Sequence, residues 1–263
     1  MLNNNKKSLP PHFSLSLIPK NIFQRLVRLI YMFISFFRSF VFRSSTKIKI
    51  IESYREFVSM KMGIVPIEIN SLTDWNNLEL KLISPTSNAG QVSHLELLSI
   101  IGLAKSFLKP GQNFLEIGTF DGNTAYNVAI NIPQVSKVIT MDLPEDTSEV
   151  AKFAYDDYLI KSKNRSKKKH LHLKNVEQIY HNSTTYDFDK LTFNFSFIDG
   201  GHDYETVKSD TLNVLKYIQR PGVILWHDYD VECEIGDLLH ALAKEHSIKW
   251  IKGTRLAYLK LEL

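Results

Sequence analysis

The chain has 263 residues, of which 44% are hydrophobic and 23% charged, a composition typical of globular proteins rather than disordered ones. Its formal net charge of +4 is too small to indicate nucleic acid as a partner. Cys233 is the single cysteine, which excludes an internal disulfide bond and a cysteine-based metal cluster and favours a reducing compartment. The length allows one main domain with an appendage.

Residues 1–45 are predicted to form a basic amphipathic segment. Its apolar side chains fall on one wide face of a helix over residues 21–42, while Arg25 and Arg28 lie on the other face. The apolar runs are too short to cross a bilayer, and no small-residue cleavage site follows them. We expect this helix to lie in a membrane interface, on a cytoplasmic protein that is peripheral at the inner membrane face. Packing on the main domain, or on a partner in a homo-oligomer, is the alternative.

Residues 46–110 are predicted to form a helical extension of the main domain. Helices are expected at 50–62 and 92–108, separated by an extended or turning segment at 64–90. The second helix leads directly into the first strand of the domain that follows. This extension is expected to shape part of the substrate pocket.

Residues 111–263 alternate between strand and helix patterns, which predicts an α/β fold with a doubly wound, Rossmann-like, mostly parallel sheet. Seven strands are expected, at 114–117, 138–142, 177–181, 193–199, 223–227, 248–251 and 256–261. Helices are expected at 124–131, 149–161, 204–219 and 234–245. The last two strands are predicted to form a terminal hairpin.

The turn after the first of these strands is the stretch around which the domain is organised. Gly118 and Gly122 allow the backbone to turn sharply and a ligand to approach closely. Free N–H groups at the start of the following helix favour polar or anionic ligand groups. A dinucleotide site would have the spacing G-x-G-x-x-G. This chain instead has Glu116 at the strand end, where a carboxylate suits a cationic ligand group and would repel a pyrophosphate.

The sequence E-I-G-T-F-D-G-N-T-A at 116–125 resembles the first motif of class I S-adenosylmethionine-dependent methyltransferases, in the form found in small-molecule O-methyltransferases. Two later blocks, I-D-G-G-H at 198–202 and W-H-D-Y at 226–229, are similar to a bacterial family of that class with sugar and antibiotic-tailoring enzymes. The resemblance covers about residues 113–260. It implies an antiparallel last strand, S-adenosylmethionine as the cofactor, and methylation of a hydroxyl group on a small molecule or glycan.

The resemblance also assigns residues to the cofactor. Asp142 ends the second strand, where an acid in nucleotide-binding sheets accepts hydrogen bonds from the ribose hydroxyls. Asn182 and Ser183 stand where the related enzymes have Gly-Asp-Ser and hold the adenine amine, and an amide oxygen can accept the same bond. The complete predicted set is Glu116, Gly118, Thr119, Gly122, Asp142, Asn182, Ser183 and Asp199.

Asp199 and Asp228 follow adjacent strands, so they should converge at one edge of the sheet beside the cofactor. Acids at these positions chelate magnesium in related metal-dependent O-methyltransferases, although this chain has Tyr229 where those enzymes commonly have Asn or another acid. His202 lies where the catechol-type enzymes place a catalytic lysine, so the resemblance makes it the general base, with His227 as the second candidate. An imidazole titrates near neutrality and can accept a hydroxyl proton.

Three other functions stay open on the sequence alone. They are N-methylation, nicotinamide-dependent oxidoreduction, which the glycine spacing and Glu116 disfavour, and membrane-associated binding of a nucleoside without catalysis. A basic run at 161–170 is typical of a solvated loop and could also meet acidic lipid head groups or a phosphate-bearing substrate. It lacks the interleaved aromatic residues that stacking on nucleic-acid bases requires.

Overall fold

The computed structural model describes residues 44–83, 91–144 and 172–263. The helices in these ranges are α1 (Ser44–Lys61), α2 (His94–Phe107), α3 (Asn123–Ala129), α4 (Tyr204–Tyr217) and α5 (Glu234–Leu242). The strands are β1 (Val65–Ile67), β2 (Phe114–Ile117), β3 (Val138–Asp142), β4 (Val176–Tyr180), β5 (Phe195–Ile198), β6 (Gly222–Trp226), β7 (Lys249–Ile251) and β8 (Ala257–Leu261).

Three sequence predictions lie outside the described residues: the helix at 21–42, the helix at 149–161 and the basic run at 161–170. None of the helices in the described ranges is long and apolar enough to cross a membrane. Contact of the N-terminal segment with a membrane surface stays a prediction.

The described strands form one sheet in the order β1-β7-β8-β6-β5-β2-β3-β4. β8 is antiparallel to β6 and β7, and the other neighbouring pairs are parallel. The predicted Rossmann-like fold with an antiparallel last strand is therefore confirmed. The sheet has eight strands rather than the expected seven, because β1 pairs with β7 at the sheet edge. With three residues, β1 is too short to show the alternation that identifies a strand.

Helices cover the sheet on both faces, so its central strands are apolar throughout. Every residue of β2, β5 and β6 is buried. On one face, Ile198 and Trp226 pack with apolar residues of α4 and α5. On the other, Phe114 and Phe195 pack with α2 and α3, and their rings stack with centroids 5.1 Å apart. Because the parallel strands share an orientation, the polar residues that follow them meet at one edge.

Polar contacts attach α1 to the segment that follows β6. The hydroxyl of Tyr54 donates a hydrogen bond to Glu232 over 2.6 Å, and the hydroxyls of Ser59 and Tyr229 lie 2.8 Å apart. Arg55 forms an ion pair with the buried Asp230. The helical extension therefore supports the backbone immediately beyond Asp228, one of the predicted site residues.

Candidate active site

The turn after β2 has the conformation that its glycines predict. Gly118 has a φ angle of +100° and Gly122 one of +75°, in the left-handed region that favours glycine. A Cβ atom on Gly118 would lie 2.0 Å from the carbonyl oxygen of Asp199. Glycine is thus required at position 118 because the ends of β2 and β5 approach each other closely. Phe120 also has a positive φ of 50°, a strained conformation of the kind found in functional loops.

Glu116 lies at the base of this turn and is only 1% exposed. Burial raises its pKa well above the usual range. A hydrogen bond from the Thr140 hydroxyl lowers the pKa in part, whereas the charges of Asp199, Asp142 and Asp121 raise it further. Among the described residues, the main influences on the pKa of Glu116 include no cation. A buried acid in such surroundings fits a ligand that brings positive charge, because an opposite charge nearby favours the ionised carboxylate.

A chain of hydrogen bonds orients the Glu116 carboxylate. The side-chain amide of Gln178 donates to the Thr119 hydroxyl over 3.0 Å, and that hydroxyl lies 2.7 Å from the Thr140 hydroxyl. Because Thr140 donates its only hydroxyl hydrogen to Glu116, Thr119 is the donor in its hydrogen bond with Thr140. Thr119 is 4% exposed, so its visible role is to fix the acid, and its direct contact with the cofactor stays a prediction. Gln178 was not predicted, because one polar residue in a strand carries no functional signal.

Asp142 ends β3 beside the same turn. Its carboxylate accepts hydrogen bonds from the backbone N–H groups of Phe120, over 3.2 Å, and Leu143, over 2.8 Å. The side chain is half-buried, so the backbone orients it while part of its surface remains accessible. This arrangement fits the predicted contact with ribose hydroxyls.

The two predicted adenine residues occupy the turn after β4 and differ in their surroundings. The amide oxygen of Asn182 accepts hydrogen bonds from the backbone N–H of Thr184, over 3.0 Å, and from its hydroxyl, over 2.9 Å. It thereby caps the short helical turn Ser183–Thr185 and has used both of its acceptor positions. Ser183 is half-buried, and its hydroxyl faces Asp210 of α4.

Asp199, His202 and Asp228 meet beyond the ends of β5 and β6. One ligand atom from each lies within 4.8 Å of the others. Nε2 of His202 is 2.6 Å from Oδ2 of Asp228. Asp228 has a φ angle of +58°, so this cluster also contains a strained backbone position. The structure therefore brings together the predicted base and both predicted metal ligands.

His227 lies beneath this cluster, enclosed by three carboxylates. Its Nδ1 is 2.9 Å from Oδ1 of Asp199 and 3.2 Å from Oδ1 of Asp228, and its Nε2 makes an ion-pair contact of 3.4 Å with Glu96. Burial alone would lower the pKa of His227, but Asp199 and Asp228 outweigh it and raise the pKa well above the usual range. A charged imidazolium has no lone pair to accept a proton. The geometry therefore favours His227 as an internal counterion rather than as a base.

Glu96 of α2 belongs to the same cluster and was not predicted. Its carboxylate accepts hydrogen bonds from the backbone N–H groups of Ser93, over 2.8 Å, and Arg255, over 2.7 Å. Burial raises the pKa of Glu96, but His227 and these two donors outweigh it and lower the pKa to about 2. In the sequence, Ser93-x-x-Glu96 indicates only a helix start, the capping box that the structure contains.

Both oxygens of the Asp228 carboxylate are paired with basic side chains. Arg255 Nη2 lies 2.6 Å from Oδ1, and His202 contacts Oδ2. Burial raises the pKa of Asp228, but His227 and His202 outweigh it and hold the pKa well below the usual range. For Asp199 burial prevails, and its pKa stays raised despite His227. This side of the site thus supplies its own counterions.

Comparison with known proteins places this geometry in a family context. Residues 115–229 match the family described as "Methyltransferase domain". The chain is similar to the O-methyltransferase NovP, with a TM-score of 0.52 and 14% identity, over 67% of this chain and 84% of that one. It is also similar to TomG, an O-methyltransferase of tomaymycin synthesis from Streptomyces achromogenes, with a TM-score of 0.44 and 17% identity, over 68% of this chain and 92% of that one.

A sequence relative comes from a virus. The uncharacterised protein R132 of Acanthamoeba polyphaga mimivirus is 27% identical over 150 residues, which are 53% of this chain and 62% of the viral protein. The chain thus spans less than two thirds of that relative's length.

Proposed function

The chain contains an S-adenosylmethionine-dependent methyltransferase domain, and we propose that this enzyme methylates a hydroxyl oxygen of a small molecule or glycan. The domain match confirms the methyltransferase prediction and disfavours the nicotinamide-dependent alternative, and the fold shared with NovP agrees with it. The 2.6 Å contact between His202 and Asp228 supports oxygen as the nucleophile. A hydroxyl must lose its proton as it is methylated, and this pair provides a base where the strands end.

The residues around the glycine turn fit the cofactor. S-adenosylmethionine supplies an electrophilic methyl group on a sulfonium and carries an ammonium group. Glu116 is a buried acid that lacks a cation among the influences on its pKa, and the ammonium would supply one. Asp142, oriented by two backbone N–H groups, would accept hydrogen bonds from the ribose.

His202 would accept the proton of the substrate hydroxyl. When Nε2 donates its hydrogen to Asp228, Nδ1 is the basic nitrogen of the ring. Asp228 then stabilises the imidazolium that forms, as the orienting acid does in other catalytic pairs. His227 lies against the carboxylates of Asp199 and Asp228, whose charges raise its pKa and favour its protonated form, so it helps to hold both carboxylates in place.

A magnesium ion is the second candidate for activating the hydroxyl. The donor set of Asp199, His202 and Asp228 fits a divalent cation, with ligand atoms within 4.8 Å of one another. A bound ion would act as a Lewis acid on the substrate oxygen. The pairing of both Asp228 oxygens favours the base instead, because an ion would have to displace Arg255 or His202.

The test is methyl transfer from S-adenosylmethionine to a pool of hydroxyl and amine acceptors, followed by mass spectrometry, with excess chelator or with added magnesium. We expect a methylated hydroxyl product, formed by the wild type even in chelator. His202→Ala should lower turnover by about 10²–10⁴-fold, with cofactor affinity unchanged in calorimetry. His246→Ala is the matched control and should keep full turnover, because His246 precedes β7 and thus lies near the amino ends of the parallel strands, away from His202.

Three outcomes decide between the candidates. Loss of activity in chelator that magnesium restores would replace the base with the metal ion. Transfer to amines alone, with no effect of His202→Ala, would favour N-methylation. Cofactor binding without turnover on any acceptor would favour a non-catalytic nucleoside-binding module.

A further inference from the structure

Asp228 presents its carboxylate to the cluster beyond β5 and β6 from a strained backbone position. Its φ angle of +58° lies in the left-handed region, which residues other than glycine adopt uncommonly. Such a conformation persists only where the surrounding structure fixes it. The contacts with His202 and Arg255 hold the side chain. The backbone is held from the other side, by the residues that follow.

Tyr229 anchors the chain directly after Asp228. It is 2% exposed, and its hydroxyl lies 2.8 Å from that of Ser59 in α1 and 3.2 Å from Nε2 of His240 in α5. Its backbone N–H donates a hydrogen bond to the carbonyl oxygen of Arg255 over 2.9 Å. Both the side chain and the backbone of Tyr229 are therefore fixed, and α1 supplies one of the contacts.

The next residue is held by the same helix. Arg55 of α1 forms an ion pair with Asp230, which is 5% exposed. Arg55 and Ser59 are four residues apart, so they lie on one face of α1, one turn from each other. That face thus holds two consecutive residues of the chain, Tyr229 and Asp230. A shift of α1 would be transmitted to the backbone immediately beyond the carboxylate of Asp228.

α1 lies outside the part of the chain that matches the methyltransferase family. The match covers residues 115–229, whereas α1 ends at Lys61. The contacts of Arg55 and Ser59 lead to the segment after β6 rather than to the glycine turn that is expected to bind the cofactor. Loosening them should therefore change turnover and leave cofactor affinity unchanged.

We propose that Arg55 and Ser59 are positioning residues for methyl transfer, which act through the two residues after Asp228 to hold its carboxylate in place. The proposal rests on the function proposed above. It applies whether Asp228 orients His202 as the base or binds a magnesium ion, because a displaced carboxylate slows the chemical step in both cases. The helical extension is thus part of the catalytic architecture and not only a cover at the edge of the sheet.

The experiment measures methyl transfer to the pool of acceptors described above, together with binding of S-adenosylhomocysteine by calorimetry, on the full chain. Arg55→Met/Asp230→Asn removes the ion pair without leaving either charge buried alone. It should lower turnover by about tenfold to 10²-fold, since a misplacement of about 1 Å can cost about 10²-fold. Ser59→Ala removes one hydrogen bond and should lower turnover by about twofold to tenfold. Affinity for S-adenosylhomocysteine should not change in either variant.

A second background separates positioning from a general loss of stability. In Asp228→Asn the carboxylate is already absent, and asparagine also tolerates a positive φ angle. Adding Arg55→Met/Asp230→Asn there should cost less than about twofold of the residual turnover, because changes that act through one group are not additive. Glu56→Gln removes the 3.3 Å contact of α1 with Lys252 and is the matched control, which should keep full turnover.

Wild-type turnover in a folded Arg55→Met/Asp230→Asn protein would overturn the proposal. An equal loss of turnover with and without the Asp228 carboxylate would overturn it too, because α1 would then only stabilise the fold. If the Arg55→Met/Asp230→Asn protein does not fold, Ser59→Ala decides in the same two backgrounds. Absence of turnover by the wild type on every acceptor would instead overturn the proposed function itself, and this inference with it.

Discussion

Glu116 and Glu96 are both buried glutamates near the carboxyl ends of the strands, with exposures of 1% and 4%, yet their surroundings shift their charge in opposite directions. Burial raises the pKa of Glu116 well above the usual range, and nearby acids, Asp199 first among them, add to the rise. Burial also raises the pKa of Glu96, but His227 and two backbone donors bring it down to about 2. The two sites differ because His227, a basic side chain of the protein itself, contacts Glu96, whereas the main influences on Glu116 include no basic side chain of the described residues.

This comparison indicates which half of the site is complete without its ligand. We call the cluster beyond β5 and β6 the acceptor side. There, His227 and Arg255 lie against the carboxylates of Glu96, Asp199 and Asp228. We call the glycine turn after β2 the cofactor side. There, the main influences on the pKa of Glu116 are burial, one hydroxyl and other acids. A region that supplies its own counterions should lose stability when a charge is removed. A region that awaits a cationic ligand should tolerate the same change and lose affinity instead.

Neutralising each of the two glutamates in turn should give the largest difference in the free energy of unfolding. Glu96→Gln should lower the free energy of unfolding by about 3 kcal/mol at neutral pH, the low end of the range for breaking a buried ion pair, because His227 keeps two other carboxylates. Glu116→Gln is the matched control and should not lower it, since burial already opposes the ionisation of that acid. Urea denaturation of both variants checks this expectation. Equal losses would show that the internal cation does not distinguish the two sites.

The pH dependence of stability should separate the same variants. The folded pKa of Glu96, about 2, lies below the ordinary glutamate pKa of 4.5, so its contribution to stability is present above pH 4.5 and is lost as pH falls toward 2. Glu116 has the opposite sign: the stability linked to its protonated form is present below 4.5 and is lost as pH rises through its raised folded pKa.

Denaturation midpoints between about pH 3 and pH 9 test both signs. The deficit of Glu96→Gln relative to the wild type should shrink on the acid side. Glu116→Gln should gain on the wild type as the pH rises. A deficit of Glu96→Gln that is constant across the range would contradict the assignment of a low pKa to Glu96.

Cofactor binding should release a proton from Glu116. Burial and the neighbouring acids raise the pKa of Glu116 and so favour its protonated form in the free enzyme, and an ammonium placed beside it would lower the pKa and release up to about one proton over the pH range between the two values. Calorimetry in buffers of different ionisation enthalpy measures that number. Glu116→Gln should abolish the release and weaken binding by about tenfold, the loss of one charge-assisted hydrogen bond. An unchanged release in Glu116→Gln would assign the proton to another group.

The cofactor side could be predicted from the sequence because its residues are local. Glu116, Gly118 and Gly122 lie in one continuous stretch, in which a buried strand is followed by glycines that need positive φ angles. The parallel strands then bring Asp142 and Asp199 to the same edge. No feature of the sequence places Gln178 beneath Thr119, because their contact depends on the register of β3 and β4.

The acceptor side could be predicted only in part. The position of His202 three residues after Asp199 was enough to place both at the edge of the sheet. Glu96 and Arg255 reach the site through the packing of α2 against the turn between β7 and β8, which leaves no pattern in the sequence. His227 was expected as a possible base, and only the three carboxylates around it indicate that it is charged.

Of these variants, the one that removes the Arg255 guanidinium should change stability the least. It also measures most directly how far Arg255 neutralises the charge of Asp228. Arg255 is 30% exposed, so solvent screens its 2.6 Å contact with Asp228, and Arg255→Met should change the unfolding free energy by less than about 1 kcal/mol. If Arg255 competes with external cations for Asp228, its removal should raise the affinity for magnesium by about twofold to fivefold, the same energy expressed as binding.

Lys252→Met is the control for that last variant, because Lys252 is 34% exposed and pairs with Glu56 and Glu68, over 3.3 and 3.4 Å, outside the cluster. It should leave magnesium binding unchanged. Titration of all three proteins with magnesium in a calorimeter compares them directly. A magnesium affinity that rises in Arg255→Met alone would show that Arg255 competes with an added cation for the carboxylate of Asp228. Equal affinities in all three proteins would mean that Arg255 does not compete for Asp228, and that His227 and His202 neutralise this carboxylate without it.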